Sequence, residues 1–357
     1  MSIIMHYVDR LHEIMDKHAD PRTSHWFLIS SPFPTLFICL AYVYVVKVLG
    51  PKLMENRKPF QLREVLIAYN LFQVMFSAWI FWECLMGGWW SHYSFRCQAV
   101  DYSTSPMAMR LAMSGWITGD YSLKCQPIDK SNGRQAMRMA HACWWYYFSK
   151  FTEFFDTIFF VLRKKNNHVS ALHVIHHGCM PMSVWFGVKF TPGGHSSFFG
   201  LLNTFVHIIM YSYYLLAAMG PSIQPYLWWK KYLTALQMVQ FVLVMAHAFQ
   251  LLFIECNYPK AFVWWIGLHA IMFFTLFNEF YKQSYAKEEK SKRNKIETRV
   301  EAGAKASNGS VVNGKSAGIT NGDGVNSRRR DAADYYVKGE SLAASEMHLR
   351  KSYTATE

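Results

Sequence analysis

Long apolar segments alternate with short polar connectors over roughly the first 285 residues of the chain. A transmembrane helix needs about 20 predominantly apolar residues, and we count seven segments of that kind. They cover residues 32–49, 62–86, 137–162, 168–188, 196–217, 229–253 and 261–282. Prolines such as Pro51 and Pro259 flank several segments and indicate helix ends, because proline cannot continue a helix. The pattern predicts an all-α membrane protein, a bundle of seven transmembrane helices.

The fourth segment is the least regular of the seven. It contains four histidines close to its start, and Pro181 further along. An interior proline and ionisable residues both weaken the pattern of a membrane-crossing helix. We count the segment as a span, although taken alone it also fits a buried or re-entrant segment.

The composition agrees with a membrane setting. Hydrophobic residues make up 52% of the chain and charged residues 17%, whereas a soluble domain carries about a quarter of charged residues. Lys and Arg concentrate in the connectors 52–63, 163–165 and 230–231 and in the run 287–299. Because cytosolic loops of membrane proteins are enriched in Lys and Arg, we expect a multi-pass protein with a lumenal N-terminus and a cytosolic C-terminus.

The C-terminal segment differs from the rest of the chain. From about residue 283 it is rich in Gly, Ser, Ala, Asn, Lys and Glu, a composition that buries too little apolar surface to offset the entropy of ordering. We therefore expect a lumenal N-terminal segment 1–29, a seven-helix domain 30–282 and a disordered cytosolic tail 283–357. The Arg328–Arg330 run of the tail is interpreted as solvated charge, and no nucleic-acid site is expected.

The seven cysteines fall into two groups. Four lie in apolar segments, where a free thiol behaves as a small hydrophobe: Cys39, Cys84, Cys143 and Cys179. The other three lie on the predicted lumenal side, where disulfides persist. We expect a disulfide between Cys97 and Cys256, which would tie the loop after the second span to the loop after the sixth. Cys125 is the alternative partner.

A polar stripe interrupts the third apolar segment. Lys150, Glu153, Asp156 and Thr157 recur at the spacing of one helix face. Ionisable side chains inside a membrane are costly and by default mark function. A structural salt bridge explains Lys150 with Glu153 and Asp156 equally well, so both interpretations stay open.

The fourth segment carries three histidines on one face, His173, His176 and His177. Polar residues recur at similar depth in the next two segments: Asn203, His207, Met210, Tyr211 and Tyr214 in the fifth, and Thr234, Gln237 and Gln240 in the sixth. A single buried His or Gln often does no more than bond neighbouring helices. Four helices with polar groups at one depth, however, predict one buried site that opens to the cytosol.

Histidines in this number allow two kinds of chemistry. Imidazole binds zinc or iron, but no Asp or Glu lies within one helical turn of His173–His177 in its own segment. The further histidine boxes of di-iron membrane desaturases and hydroxylases are also absent from the sequence. Metal-free acid–base and nucleophilic catalysis by imidazole is the alternative. We expect neither a metal nor another cofactor.

Four linked motifs resemble those of the very-long-chain fatty acid elongases, the ELOVL condensing enzymes. They are K-F-T-E-F-F-D-T at 150–157, H-V-I-H-H at 173–177, N-T-F-V-H-I-I-M-Y-S-Y at 203–213 and T-A-L-Q at 234–237. The resemblance implies a seven-helix bundle of the endoplasmic reticulum membrane with an enclosed acyl-chain tunnel. It also implies an acyltransferase that condenses an acyl-CoA with malonyl-CoA, giving a 3-ketoacyl-CoA, CO2 and CoA.

The resemblance implies a role for each matching residue. His176 would be the nucleophile that takes the acyl group, and His207 would assist the second half-reaction. Other residues would position or polarise the substrates: Lys150, Glu153, Asp156, His173, His177, Asn203, Tyr211, Thr234 and Gln237. The basic residues Lys164, Lys165 and Lys231 would meet CoA phosphates as point charges, although enrichment of cytosolic loops in Lys and Arg also accounts for them.

Cys179 is a second candidate nucleophile, one helical turn from His176. Cysteine is intrinsically more nucleophilic, but a thiol in an apolar span carries little thiolate. Neutral imidazole is already nucleophilic near pH 7, so we favour His176.

Two classes of function fit seven spans. The first is the elongase, with acyl-CoA, malonyl-CoA and membrane lipids as its ligands. Its partners would be the ketoacyl reductase, dehydratase and enoyl reductase of the elongation cycle, with a homodimer among the options. The second class is a receptor or channel-like protein whose buried polar groups bind a ligand or relay protons. Polar clusters near the cytosolic side favour the first class.

Overall fold

The computed structural model describes residues 2–90, 130–256 and 258–286. Within these ranges the chain is helical and contains no β-strand. The helices, numbered in chain order, are α1 (Ser2–His18), α2 (Pro32–Tyr44), α3 (Arg63–Cys84), α4 (Arg134–Thr152), α5 (Phe154–Leu162), α6 (Ala171–Phe190), α7 (Ser197–Ala218), α8 (Lys230–Phe249) and α9 (Lys260–Tyr281). Short π-helical or 3-10 turns extend several of them, and α9 continues through Lys282–Ala286, past the domain boundary expected at residue 283.

Five helices, counted with these extensions, are long and apolar enough to cross a membrane. They are Pro32–Met54, Arg63–Trp89, Gly194–Ala218, Lys230–Leu252 and Lys260–Ser284. The two other predicted spans correspond to α4 with α5 and to α6, which carry the polar stripe and the three histidines and fall short of that length or hydropathy. The protein is therefore an all-helical, multi-pass membrane protein with five candidate spans among the described residues.

Six of the helical segments close a ring. Going round it, α3 packs against α4, α4 against α6, α6 against α9, α9 against α8, α8 against α7, and α7 back against α3. Helix α2 packs against α6 and α5 and takes no place in this ring. The less apolar helices α4 and α6 are thus neighbours in the ring, which brings their polar residues together.

The third predicted span is interrupted, so the expectation of one continuous helix over 137–162 was wrong. Helix α4 ends at Thr152 and α5 begins at Phe154. At this break the Asp156 N–H donates to the Glu153 carbonyl, 3.2 Å away, and not to the carbonyl four residues back that an α-helix uses. The helix face predicted for the polar stripe is therefore split between two segments.

Pro51 was predicted to end the first span, and that prediction was wrong. A π-helical turn, Val45–Leu49, follows α2, and a further helical segment, Gly50–Met54, contains the proline. Proline is tolerated in the first turn of a helical segment, where its missing N–H has no partner to lose. The chain therefore stays helical as far as Met54.

The N-terminal segment covers one end of the ring, which we call the capped end. Lys189, fully buried in the last turn of α6, donates to Asp16 of α1 (2.8 Å) and to the Ser30 carbonyl (3.4 Å). Ile29 packs with Trp185 in the same region. The opposite end, where α5 ends and α6 begins, carries many Lys and Arg residues, and we call it the basic end.

The cysteines described by the structure match the predicted grouping. Cys39, Cys84, Cys143 and Cys179 are free thiols. Cys256, in the loop between α8 and α9, is disulfide-bonded. Cys97 and Cys125 lie outside the described residues, so the pairing of Cys97 with Cys256 stays a prediction.

Peptide mapping under non-reducing conditions is expected to recover Cys97 linked to Cys256. Removing the bond by Cys256→Ser should lower stability by about 2–4 kcal/mol, because the disulfide restricts the unfolded chain. Cys84→Ser, which alters a free buried thiol, is the control that leaves the linked peptide in place. A map in which Cys97 is a free thiol and Cys256 is linked to Cys125 contradicts the predicted pairing.

Candidate active site

Glu153 lies at the centre of the polar residues. It occupies the break between α4 and α5, and its Oε1 atom accepts a hydrogen bond from Lys150 Nζ at 2.5 Å. Both residues are 2% exposed. Two opposite charges taken out of water need such a contact, because an unpaired charge in this environment is strongly destabilising.

Two histidines from different helices face the Glu153 carboxylate. His207 Nδ1 of α7 lies 3.3 Å from Oε1, and His177 Nδ1 of α6 lies 3.9 Å from Oε2. A carboxylate only accepts hydrogen bonds, so the tautomer of His207 that fits carries its hydrogen on Nδ1. Its Nε2 atom is then left with a lone pair. Glu153 therefore orients His207, the histidine of the motif at residues 203–213.

Asn203 of α7 is fixed by two donors on the same oxygen. Its Oδ1 atom accepts from Tyr146 OH at 2.8 Å and from Lys150 Nζ at 3.2 Å. Both donors identify that atom as the amide oxygen, so the Nδ2 group is the donor end of the side chain. Among the described residues this NH2 group has no hydrogen-bond partner, which leaves it available to an acceptor on a bound molecule.

The three histidines of α6 have different surroundings. His173 Nε2 is hydrogen-bonded to Thr157 Oγ1 at 2.9 Å, and Thr157 in turn to Tyr42 OH at 2.7 Å. His177 is buried and faces Glu153. His176 is half-buried and contacts the His177 ring edge-on, and its ring nitrogens have no hydrogen-bond partner among the residues that the structure describes. His177 Nδ1 also lacks a hydrogen-bond partner, but His177 is buried against Glu153. His176 is therefore the more accessible of the two rings.

The remaining predicted residues lie around this centre, and the Tyr211 ring contacts that of His207 edge-on, at 5.7 Å between centroids. Asp156 accepts a hydrogen bond from Tyr211 OH at 2.7 Å. Gln237 of α8 donates to the sulfur of Met210, 3.4 Å away, and Thr234 is buried one turn before it. Over the described ranges, no hydrogen bond joins Gln237 to a histidine. Gln237 thus contacts α7, the helix that carries His207, through Met210.

The basic end of the ring is electropositive. The ring of His168 packs against that of Phe160, with 5.2 Å between centroids. Partial desolvation of this exposed residue, together with the charges of Lys230, Lys165 and Arg163, lowers the pKa of His168. The lysines predicted to contact phosphate have different surroundings. Lys164 Nζ donates to the Glu55 carbonyl (3.0 Å), whereas Lys231 Nζ lies over the Tyr232 ring. The Lys165 ammonium group has no hydrogen-bond partner within the described ranges.

An apolar cavity lies inside the ring, on the capped side of the histidines. Helices α3, α4, α6, α7 and α9 all contribute to its walls, with Tyr146, Met180, Val184, Val188, Phe199 and Ile266 among the lining residues. Tyr146 also contacts Asn203, and Met180 is one helical turn from His176. The cavity therefore begins next to the polar centre and continues away from the basic end.

Sequence reasoning missed several residues that hold the site together. Tyr146 was not singled out, although it lies one turn before Lys150 on the same helix. Polar residues of α3 were missed as well, among them Asn70, Gln73 and Ser77, which are all buried. Their spacing of three and four residues within an apolar helix is the signal that could have revealed an inward polar face.

Within the described residues, no group of three or more His, Cys, Asp or Glu side chains is arranged to hold a metal ion. The polar centre instead combines one carboxylate, one ammonium group and several imidazoles with direct contacts among them. These groups are suited to proton transfer and nucleophilic attack.

Comparison with known proteins agrees with the motifs. The chain matches the model of the GNS1/SUR4 family (ELO) over residues 27–293. It is 57% identical to a very long chain fatty acid elongase of Aedes aegypti, over 98% of both chains. It is 58% identical to very long chain fatty acid elongase 7 of Drosophila melanogaster over 80% of this chain and 79% of that protein. Human very long chain fatty acid elongase 1 is 44% identical over 79% of this chain and 92% of its own length. The chain therefore belongs to the GNS1/SUR4 family, the family of the very long chain fatty acid elongases.

Proposed function

We propose that the protein is a 3-oxoacyl-CoA synthase of fatty acid elongation. It joins a long-chain or very-long-chain acyl-CoA to malonyl-CoA and gives 3-ketoacyl-CoA, CO2 and CoA, with the acyl group held on His176 between the two half-reactions. Its membership of the elongase family supports fatty acid elongation as the activity. The chemistry of each half-reaction is inferred from the site.

The observation that carries the proposal is the contrast between His176 and its neighbours. His173 is hydrogen-bonded to Thr157, His207 faces the Glu153 carboxylate, and His177 is buried beside the same carboxylate. The His176 ring has no hydrogen bond among the described residues and is only half-buried. It lies one helical turn from Met180, a residue that lines the apolar cavity. An acyl chain in that cavity would bring its thioester carbonyl to the free imidazole.

In the first half-reaction a His176 ring nitrogen forms a bond to the thioester carbonyl carbon. The carbon–sulfur bond then breaks, and the CoA thiolate takes up the proton that the imidazole loses. Negative charge develops on the carbonyl oxygen, and prearranged donors lower the barrier at such an oxygen. The unpartnered Asn203 NH2 group and the Lys150 ammonium are the donors that the site offers.

In the second half-reaction malonyl-CoA loses CO2, because the bond to its free carboxylate breaks and leaves a thioester enolate. The enolate carbon attacks the acyl group, the carbon–nitrogen bond to His176 breaks, and the imidazole regains a proton. One proton is consumed in the complete reaction. His207, oriented by Glu153 through Nδ1, has its Nε2 atom available to transfer that proton. A water-poor site protects the acyl-imidazole and the enolate from side reactions.

The proposal also covers the number of membrane spans, their orientation and the acyl-chain tunnel. With α4–α5 and α6 counted as spans, seven helices cross the membrane of the endoplasmic reticulum, with the N-terminus lumenal and the C-terminus cytosolic. The cavity is part of an enclosed acyl-chain tunnel. The closed ring of helices, the apolar walls and the positive charge at the basic end support this arrangement. The cytosolic Lys164, Lys165 and Lys231 meet the CoA phosphates.

The product determines which enzymes act next. A 3-ketoacyl-CoA needs reduction of its keto group, loss of water and a second reduction before another round. The partners proposed for this protein are therefore a ketoacyl reductase, a dehydratase and an enoyl reductase, besides the two substrates and membrane lipids. A homodimer is among the options, and no nucleic acid is expected.

Purified protein supplied with malonyl-CoA and a labelled acyl-CoA tests the proposal directly. The expected result is a labelled 3-ketoacyl-CoA two carbons longer, with CO2 and CoA released in equal amounts. Acyl-CoA without malonyl-CoA is the control and should yield CoA but no elongated product. Binding of acyl-CoA without any release of CoA would contradict the proposal and favour a receptor-like function.

A further inference from the structure

We propose that Tyr69 and Gln73 of α3 are positioning residues for Glu153. Their side chains close the break between α4 and α5 and thereby hold the Glu153 carboxylate against the two histidines. The inference rests on the proposed function, because it concerns the same active site. It adds residues of α3, a helix that contains none of the four motifs, and its evidence is the hydrogen bonds at the break.

Tyr69 supplies the donor that the interrupted helix lacks. Its hydroxyl donates to the Thr152 carbonyl at 3.1 Å. In an unbroken helix that carbonyl would accept from the Asp156 N–H, which here donates to the Glu153 carbonyl instead. An unsatisfied carbonyl within a membrane is strongly unfavourable, so a side-chain donor at this position stabilises the break.

Gln73 uses both ends of its amide to hold this contact. Its Nε2 atom donates to Tyr69 OH at 3.0 Å. Its Oε1 atom lies 3.2 Å from Thr152 Oγ1, whose single hydrogen is shared with the nearer Ser149 carbonyl at 2.7 Å. The Tyr69 hydroxyl donates to the Thr152 carbonyl and also lies beside the Asp156 carboxylate. Gln73 is 2% exposed. Tyr69 and Gln73 therefore both contact the last residue of α4, Tyr69 at its carbonyl and Gln73 at its hydroxyl.

The next residue after Thr152 is Glu153. Its carboxylate lies 3.3 Å from His207 and 3.9 Å from His177, distances that a small rotation at the break would change. The Tyr69 ring also meets the Tyr211 ring edge-on, at 6.2 Å between centroids, and so supports the Asp156 contact as well. A displacement of about 1 Å at a catalytic group can cost roughly 100-fold in rate. We therefore expect the hydroxyl of Tyr69 to matter for turnover.

The test compares Tyr69→Phe with Tyr147→Phe. Tyr147 is a fully buried tyrosine of α4 whose hydroxyl bonds Thr35 of α2 at 2.5 Å, away from the carboxylate. Both variants lose one buried hydroxyl between helices, so they should lose similar thermal stability in detergent. Tyr69→Phe is expected to lower kcat roughly 10- to 100-fold with KM for acyl-CoA nearly unchanged. Tyr147→Phe should keep kcat within about twofold of the wild type.

Gln73→Leu and the double variant Tyr69→Phe/Gln73→Leu extend the test. If the two side chains act as one unit, the double variant should be no slower than Tyr69→Phe alone, since effects within one network are not additive. Thr152→Val removes the hydroxyl contacts to Gln73 and to the Ser149 carbonyl and keeps the Thr152 carbonyl that Tyr69 bonds, so it should lower kcat less, in the same direction. This milder variant keeps the test decisive if Tyr69→Phe is not recovered as folded protein.

The outcomes separate this inference from the proposed function. A wild-type protein that never releases CoA overturns the proposed function and the inference with it. An active wild type in which Tyr69→Phe and Thr152→Val turn over as fast as Tyr147→Phe overturns the inference alone.

Discussion

Replacing His176 with alanine is expected to abolish the release of CoA from acyl-CoA added without malonyl-CoA. The wild-type protein should release about one CoA per active site in this experiment and retain the acyl group, because a covalent intermediate splits the reaction into two steps. His176→Ala removes the attacking nitrogen and leaves the carboxylate and its two histidine contacts in place. Quantifying CoA in the first turnover, and the acyl group by intact-protein mass, measures the effect.

Cys179→Ala is the matched comparison. The Cys179 thiol lies on the same helix, and its sulfur donates to the His176 carbonyl at 3.7 Å. It is half-buried among apolar residues such as Met180 and Phe273, where no cation favours a thiolate. Cys179→Ala should therefore keep the first turnover. If Cys179→Ala loses the acyl-enzyme while His176→Ala retains it, the thiol is the nucleophile and the imidazole mechanism is wrong.

The positions of most helices could be predicted from the sequence. The predicted spans 62–86 and 229–253 agree within a few residues with the helices Arg63–Trp89 and Lys230–Leu252. Apolar length is a strong signal because an apolar helix satisfies all its backbone groups internally. The convergence of the histidines with Lys150 and Asn203 could be foreseen for a related reason: similar depth in several spans leaves few ways to arrange polar groups except together.

The break at Glu153 could not be predicted in the same way. Residues 137–162 have neither an interior glycine nor a proline, and these are the usual causes of a kink. The break depends on a donor from another helix, the Tyr69 hydroxyl on the Thr152 carbonyl. Such a contact joins residues 83 positions apart, and periodicity within one segment carries no information about it.

The capped end shows a second limit of sequence reasoning. Lys189 follows an apolar run near the end of α6, where a basic residue normally reaches the membrane surface. In the structure it is fully buried, because α1 folds back and supplies Asp16. The N-terminal segment is predicted to be lumenal, but its sequence pattern indicates no contact with α6. Lys189 and Asp16 are 173 residues apart in the sequence, so their contact could be found only in the folded structure.

The largest effect on stability is expected from breaking the Lys150–Glu153 pair. Glu153→Ala leaves the Lys150 ammonium buried without its counter-charge, which should lower the free energy of unfolding by about 3–5 kcal/mol. Activity should be lost in the same variant. This result alone does not separate a structural salt bridge from a catalytic group, the two interpretations that the polar stripe left open.

The double variant Lys150→Met/Glu153→Leu separates them. Replacing a buried ion pair by apolar residues of similar volume is often neutral or stabilising, so the double variant should regain most of the stability lost in Glu153→Ala. It should nevertheless stay inactive, because His207 loses the carboxylate that orients it and Asn203 loses the ammonium beside its oxygen. Unfolding in detergent and the condensation assay measure the two properties on the same preparation.

Lys189→Met is the matched control for this experiment. It also removes a fully buried lysine, but its partner Asp16 is 63% exposed and can return to solvent. The variant should therefore destabilise less than Glu153→Ala and keep kcat near that of the wild type, because Lys189 lies at the capped end. A Lys150→Met/Glu153→Leu variant that regained both stability and condensation would show that the buried pair supports the fold alone. The histidines would then need no carboxylate to act.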